Sequence, residues 1–177
     1  MRRIAFIGLG NMGGGMAMNL ARAEAHVRAF DLSSEATARA RENGCEIFAS
    51  VREAVEGVDA VVSMLPNGGI VENVYLNDVI GHAPASAILL DCSTIDVATA
   101  RKVAAAAAEA GYDMVDAPVS GGIAAANQGT LTFMVGGSEH AFQRAEDILF
   151  DMGKAVIHAG ASGAGQAAKI CNNMLLG

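Results

Sequence analysis

Gly8, Gly10 and Gly13 stand in the pattern G-x-G-x-x-G directly after the apolar run Ile4-Ala5-Phe6-Ile7, and this arrangement restricts the chain more than any other feature. Four consecutive apolar residues predict a strand buried on both faces. Met16 and Leu20, with small residues between them, predict a helix immediately after the glycines. Strand, glycine turn and helix in that order form the context that a dinucleotide fingerprint requires. Gly8 permits the tight turn, Gly10 lacks the Cβ that would block a pyrophosphate, and Gly13 lets the helix pack close to the strand. The first free N–H groups of the helix and its dipole then face the phosphates. A second strand, Val27 to Phe30, ends at Asp31, 18 residues after Gly13. That is close to the ~20 expected for the acid that binds an adenosine ribose. A carboxylate there accepts from both ribose hydroxyls and repels a 2′-phosphate. No Arg or Lys follows Asp31 until Arg39, so the expected cofactor is NAD rather than NADP.

A chain of 177 residues is long enough for one full domain and short for a dinucleotide domain plus a separate substrate domain. With 52% hydrophobic and 18% charged residues it can bury a sizeable core, which argues against disorder. A net charge of −7 without any basic cluster argues against nucleic acid as a partner. No run approaches the ~18 apolar residues of a membrane span. Met1-Arg2-Arg3 leads into too short an apolar stretch for a secretory signal. Cys45, Cys92 and Cys171 are odd in number and far apart, which suggests neither disulfides nor a metal site. The expected setting is the cytoplasm.

Further along, Ser33 or Ser34 is expected to cap a helix from Ala36 to Arg41, and Val51 to Val55 to form a short one. Ala60 to Leu65 and Ala87 to Asp91 are apolar runs and therefore strands. They are followed by loop chemistry at Pro66-Asn67-Gly68-Gly69 and Cys92-Ser93-Thr94. Ile70 to Leu76 is expected to be helical, and Asp96 to cap an alanine-rich helix that runs to Ala110 and is stopped by Gly111. Tyr112 to Ala117 is a strand leading to Pro118-Val119-Ser120-Gly121-Gly122. Thr130 to Val135 is a strand, Glu139 to Phe150 a helix, Lys154 to His158 a last strand, and Gln166 begins a last helix. The alternation predicts an α/β fold with a doubly wound, mostly parallel sheet, a Rossmann-like NAD-binding domain over residues 1–162. Residues 163–177 form the start of a further helix. Ligands of such sheets bind beyond the carboxyl ends of the strands. The exits at Gly8, Asp31, Leu65-Pro66, Ser93-Thr94 and Ser120-Gly121-Gly122 are thus expected to line one crevice.

Lys169 and Asn173 lie four residues apart and share one helix face. Lys169 is expected in the first turn or so after Gly163 and Gly165. A lysine near the positive end of a helix, or closed off from water, can exchange a proton with an alcohol. Ser120-Gly121-Gly122 offers a hydroxyl and unobstructed N–H groups suited to a small carboxylate. His26, His82, His140 and His158 are scattered, with no spacing for a metal pair, so no metal is expected.

Taken together, these segments resemble the β-hydroxyacid dehydrogenase family. The matching motifs are Phe6 to Gly13, Met64-Leu65-Pro66, Asp91 to Ile95, Asp116 to Gly122, Gly129 to Gly137, and Gly163 to Asn173. The resemblance implies that Gly8, Leu9, Gly10, Asn11, Met12, Gly13 and Asp31 hold NAD. It puts Leu65 and Pro66 on the adenosine side and Thr94 near the nicotinamide. Ser120, Gly121 and Gly122 would bind the substrate carboxylate, Lys169 would be the catalytic acid/base, and Asn173 a substrate ligand. The implied reaction is oxidation of 3-hydroxyisobutyrate to methylmalonate semialdehyde in valine breakdown, in a self-associating enzyme. Another short β-hydroxyacid reaction, such as tartronate semialdehyde reduction, and a non-catalytic NAD-binding module are the alternatives. Three departures stand out. Gly15 replaces a usual Pro, which implies a mild loss of stiffness. Glu24 replaces a helix-ending Gly. The family continues past the last helix into an all-helical domain that completes the pocket and the dimer, and that part is expected to be missing here.

Overall fold

The computed structural model describes residues 1–176. The strands β1 (Arg3–Ile7), β2 (His26–Phe30), β3 (Glu46–Ile47), β4 (Ala60–Ser63), β5 (Ile88–Asp91) and β6 (Asp113–Asp116) lie parallel in the order β3-β2-β1-β4-β5-β6. Beyond β6 the sheet turns mixed. β8 (Leu131–Gly136) runs antiparallel to β6 and to the short β7 (Val119–Ser120), and carries β9 (Gly153–Gly160) parallel to itself.

Alternate residues of β1 explain why the sheet is covered on both faces. Ile4 and Phe6 enter one core, packed under α1 (Gly13–Arg22), α2 (Ser34–Glu42) and α7 (Glu139–Phe150). Ala5 and Ile7 enter the other, under α3 (Val51–Val55), α4 (Gly68–Val74) and α5 (Val97–Glu109). A strand buried on both faces has no use for polar alternation, which is why these runs are continuously apolar. Side chains of Ser33, Ser50, Asn67, Asp96 and Ser138 each accept from the amide three residues on and start α2, α3, α4, α5 and α7.

Several local expectations are corrected. Gly68 and Gly69 are not loop: Asn67 caps α4 there, and after Val74 the helix passes into a π turn over Tyr75–Val79. Val119 and Ser120, expected as the exit of the preceding strand, form a short strand of their own. Sequence reading also passed over α6 (Gly122–Gln128), whose glycine start and Asn-Gln-Gly end look like a turn. Tertiary packing makes that helix. Asn19 donates from Nδ2 to the Ala126 carbonyl at 2.7 Å and to the Gly15 carbonyl at 2.9 Å. A Cβ on Gly15 would lie 2.4 Å from Asn127 Oδ1, so Gly15 sets how closely α1 and α6 approach and is more than a soft spot. The last helix, α8 (Ala164–Leu176), starts two residues earlier than expected. Lys169 therefore falls in its second turn, not its first.

Glu24 adopts φ 62°, the left-handed conformation that glycine usually supplies after a helix. Its N–H bonds the Ala21 carbonyl, and the Ala25 N–H bonds the Leu20 carbonyl, so the chain leaves α1 through a Schellman closure.

Candidate functional site

The exits of β1, β2 and β4 surround a crevice of about 840 Å³. Gly8, Gly10, Asn11, Met12, Gly13, Asp31, Leu65 and Pro66 all line it. The glycines differ in what they do. A Cβ on Gly8 would lie 2.2 Å from the Met64 carbonyl oxygen, and one on Gly13 would lie 1.9 Å from the Gly8 oxygen; both serve packing. A Cβ on Gly10 would meet nothing within 4 Å, so this glycine leaves open space at the mouth of the crevice. No side chain caps α1, and its first turn holds no acid. An uncapped helix start beside an open glycine fits a pyrophosphate, and the residues present fit the cofactor. Asp31 Oδ2 accepts from the Leu9 N–H at 2.6 Å and Oδ1 from the Ser33 N–H at 2.7 Å, which fixes the carboxylate at the crevice wall. Leu9 turns its side chain into the core and lines a separate 320 Å³ cavity between the glycine loop, α2 and α6.

The remaining predicted site residues lie elsewhere. Thr94 is exposed at the exit of β5; neither it nor Ser120, Gly121 and Gly122 line the crevice. Gly121 and Gly122, at φ 133° and 70°, start α6 and are exposed, with open space beside Gly122. On α8, Lys169 is half-buried and Asn173 exposed.

Two buried residues that the sequence reading quoted without a role hold α8 in place. Asp116, at the end of β6, accepts from the Gly163 N–H at 2.7 Å and the Gln166 N–H at 3.0 Å, so it caps the helix from the sheet. Gln166 is fully buried; its Oε1 accepts from the Ile95 N–H at 3.1 Å and its Nε2 donates to the Ser93 carbonyl at 2.7 Å. A Cβ on Gly165 would lie 2.4 Å from the Met134 carbonyl oxygen, so the helix start presses on β8. Lys169 therefore sits one turn beyond a latch that ties its helix to the exits of β5 and β6. The available signal was a carboxylate closing an apolar strand, seen at both Asp91 and Asp116.

Asp91 is also buried. Its Oδ1 accepts from Ser63 Oγ at 2.9 Å, Ser93 Oγ at 2.6 Å and the Ser93 N–H at 3.2 Å. Burial pushes its carboxyl from the ordinary 3.8 up to about 6; the Ser93 and Ser63 hydrogen bonds oppose this and the Asp116 charge adds to it. Burial likewise raises the Tyr75 phenol and the Cys92 thiol. No group of residues able to hold a metal occurs among the described residues, and none of their helices is long and apolar enough to cross a membrane.

Residues 3–160 match the NAD binding domain of 6-phosphogluconate dehydrogenase. Over 179 aligned residues the chain is 51% identical to a 3-hydroxyisobutyrate dehydrogenase of Pseudomonas aeruginosa, covering 100% of this chain and 60% of that protein. It is 49% identical to an NAD-dependent L-serine dehydrogenase of the same organism, covering 99% and 60%. A solved structure of Mycobacterium tuberculosis 3-hydroxyisobutyrate dehydrogenase with L-serine superposes with a TM-score of 0.97 at 48% identity, covering 99% and 60%. The chain thus spans about 60% of the length of the curated relatives it matches.

Proposed function

Because the chain belongs to the family of the NAD binding domain of 6-phosphogluconate dehydrogenase, we propose that it is the cofactor-binding part of an oxidoreductase acting on 3-hydroxyisobutyrate. The product is methylmalonate semialdehyde, as in valine breakdown. NAD, when bound, supplies the hydride acceptor. Gly8, Leu9, Gly10, Asn11, Met12 and Gly13 form the turn that holds its pyrophosphate, with the amides from Gly10 onward facing the phosphates because the Gly8 and Leu9 N–H groups are given to the Phe30 carbonyl and Asp31. Asp31 takes the adenosine ribose, and Leu65 and Pro66 flank the adenosine. Thr94 stands toward the nicotinamide. Ser120, Gly121 and Gly122 hold the substrate carboxylate, Asn173 holds the hydroxyl, and Lys169 accepts the hydroxyl proton as the alcohol is oxidised. The observation that carries this reading is the buried latch of Asp116 and Gln166, which fixes the helix of Lys169 at the strand exits.

L-serine is the second reading. It is also a β-hydroxyacid with the same carboxylate, and both the L-serine dehydrogenase relative and the serine-containing structure favour it. Three free cysteines suit a reducing cytoplasm, and exposed Ile170, Met174 and Leu175 on α8 suit self-association.

The test is the initial rate of NADH formation by the whole protein with each substrate. A higher kcat/KM for 3-hydroxyisobutyrate supports the first reading, and a higher value for L-serine supports the second. Lys169→Ala is expected to lower kcat about 10²- to 10⁴-fold while NADH affinity holds. Undiminished turnover in that variant removes Lys169 from the chemistry. Cofactor binding without turnover on either acid would instead support a non-catalytic module.

A further inference from the structure

We propose that Asp91, which does not line the cofactor crevice, is a positioning residue for the cofactor and braces two of the crevice walls against each other. One wall is Leu65-Pro66. The Leu65 N–H donates to Ser93 Oγ at 2.8 Å, and Ser93 Oγ gives its one hydrogen to Asp91 Oδ1. The other wall is α4 with the π turn, which contributes Ile70, Asn73, Val74 and Asp78. Tyr75 opens that turn and is fully buried, with its hydroxyl 2.8 Å from Ser63 Oγ. Ser63 Oγ donates to Asp91, so its lone pairs are left for Tyr75 and the phenol must donate.

Every bond in this row therefore points toward position 91. Tyr75 donates to Ser63, Ser63 to Asp91, Leu65 to Ser93, and Ser93 to Asp91. The two serine hydroxyls and the Ser93 N–H converge on Asp91 Oδ1, and a carboxylate oxygen accepts such bonds most strongly. The same loop carries the Ser93 carbonyl that receives Gln166, so the brace continues into the base of α8. Holding a carboxylate in a fully buried site disfavours its charge, and burial raises this carboxyl accordingly. A residue serving only to stabilise the fold would be better uncharged here. The two requirements separate in experiment.

The assay is fluorescence titration of the protein with NADH at 25 °C and pH 7.5, alongside thermal midpoints. Ser93→Ala deprives the Leu65 N–H of its acceptor, and Asp91→Asn keeps the shape while replacing charge-assisted bonds with ordinary ones. Each is expected to raise the NADH Kd about three- to tenfold. Asp91→Asn is expected to do so with a thermal midpoint no lower than that of the parent. Val103→Ala, a buried deletion on α5 away from the crevice, should lower the midpoint and leave Kd within about twofold. A parental Kd in either Asp91→Asn or Ser93→Ala would overturn the proposal, as would equal weakening by Val103→Ala. If Ser93→Ala does not fold, Asp91→Asn decides alone.

Discussion

Replacing Glu24 by glycine should stabilise this protein, and the size of the gain follows from one backbone angle. At φ 62° the Cβ of Glu24 crowds the adjoining peptide, a conformation that costs an L-residue about 1–2 kcal/mol. The exposed side chain recovers none of this, since it makes no hydrogen bond or ion pair among the described residues. Glycine removes the crowding but adds about 0.4–1 kcal/mol of unfolded-state entropy. The balance is a gain of about 0.5–1 kcal/mol, or about 1–4 °C in Tm for a chain of this size. Scanning calorimetry of three proteins tests the reasoning. Glu24→Gly should melt above the parent, and Glu24→Ala, which keeps a Cβ at the same angle, should melt within about 1 °C of it. Glu24→Asn should fall between, because asparagine tolerates this region better. NADH affinity should be equal in all of them, as Glu24 does not line the crevice. Equal midpoints for the glycine and alanine variants would refute the strain argument.

Asp91 predicts a pH dependence. Its carboxyl binds a proton more tightly in the native state, at about 6, than in the unfolded chain at about 3.8. Its contribution is therefore most favourable below pH 3.8, is lost as pH rises to 6, and is flat above that, a total of about 3 kcal/mol. Urea unfolding between pH 5 and 7.5 should show that slope in the parent and a shallower one in Asp91→Asn. Gly10→Ala should leave the melting temperature within about 1 °C yet abolish measurable NADH binding, since its Cβ enters open space that the cofactor needs. Gly13→Ala should instead destabilise the fold itself, because its Cβ would lie 1.9 Å from a backbone oxygen. Asp116→Ala strips the cap from α8, and hydrogen exchange at Gly163 and Gln166 should quicken by at least about tenfold while β1 to β4 keep their protection.

The glycine turn with Asp31 beside it was legible in the sequence because its parts are local. Three glycines, the strand before them, the helix after them and one acid at the end of the next strand all lie between Ile4 and Asp31. A cap at Ser33 or Ser34, the cap at Asp96 and the mostly parallel sheet followed from equally local rules. The latch on α8 was not legible, because Asp116 reaches Gln166 across 50 residues and Gln166 reaches Ser93 across 73. Each is a polar side chain whose purpose exists only once the sheet has formed. Helix α6 escaped for the same reason: its own residues favour a turn, and Asn19, more than a hundred residues earlier, supplies the bonds that hold it. Gly15 illustrates the opposite error. Read alone it suggests slack, whereas in the fold it is where two helices touch.

The lining of the crevice runs only from Ile7 to Asp78, so a ribosome delivers all of it before β5 exists. Ser93 follows Asp78 by 15 residues, on the order of 1–3 s of synthesis. During that interval the Leu65 amide has no Ser93 to receive it, and Tyr75 and Ser63 have no carboxylate to point at. The emerging chain thus acquires its crevice lining first and its bracing second. A cofactor encountered early meets a loose cradle that tightens as Asp91 and Ser93 arrive.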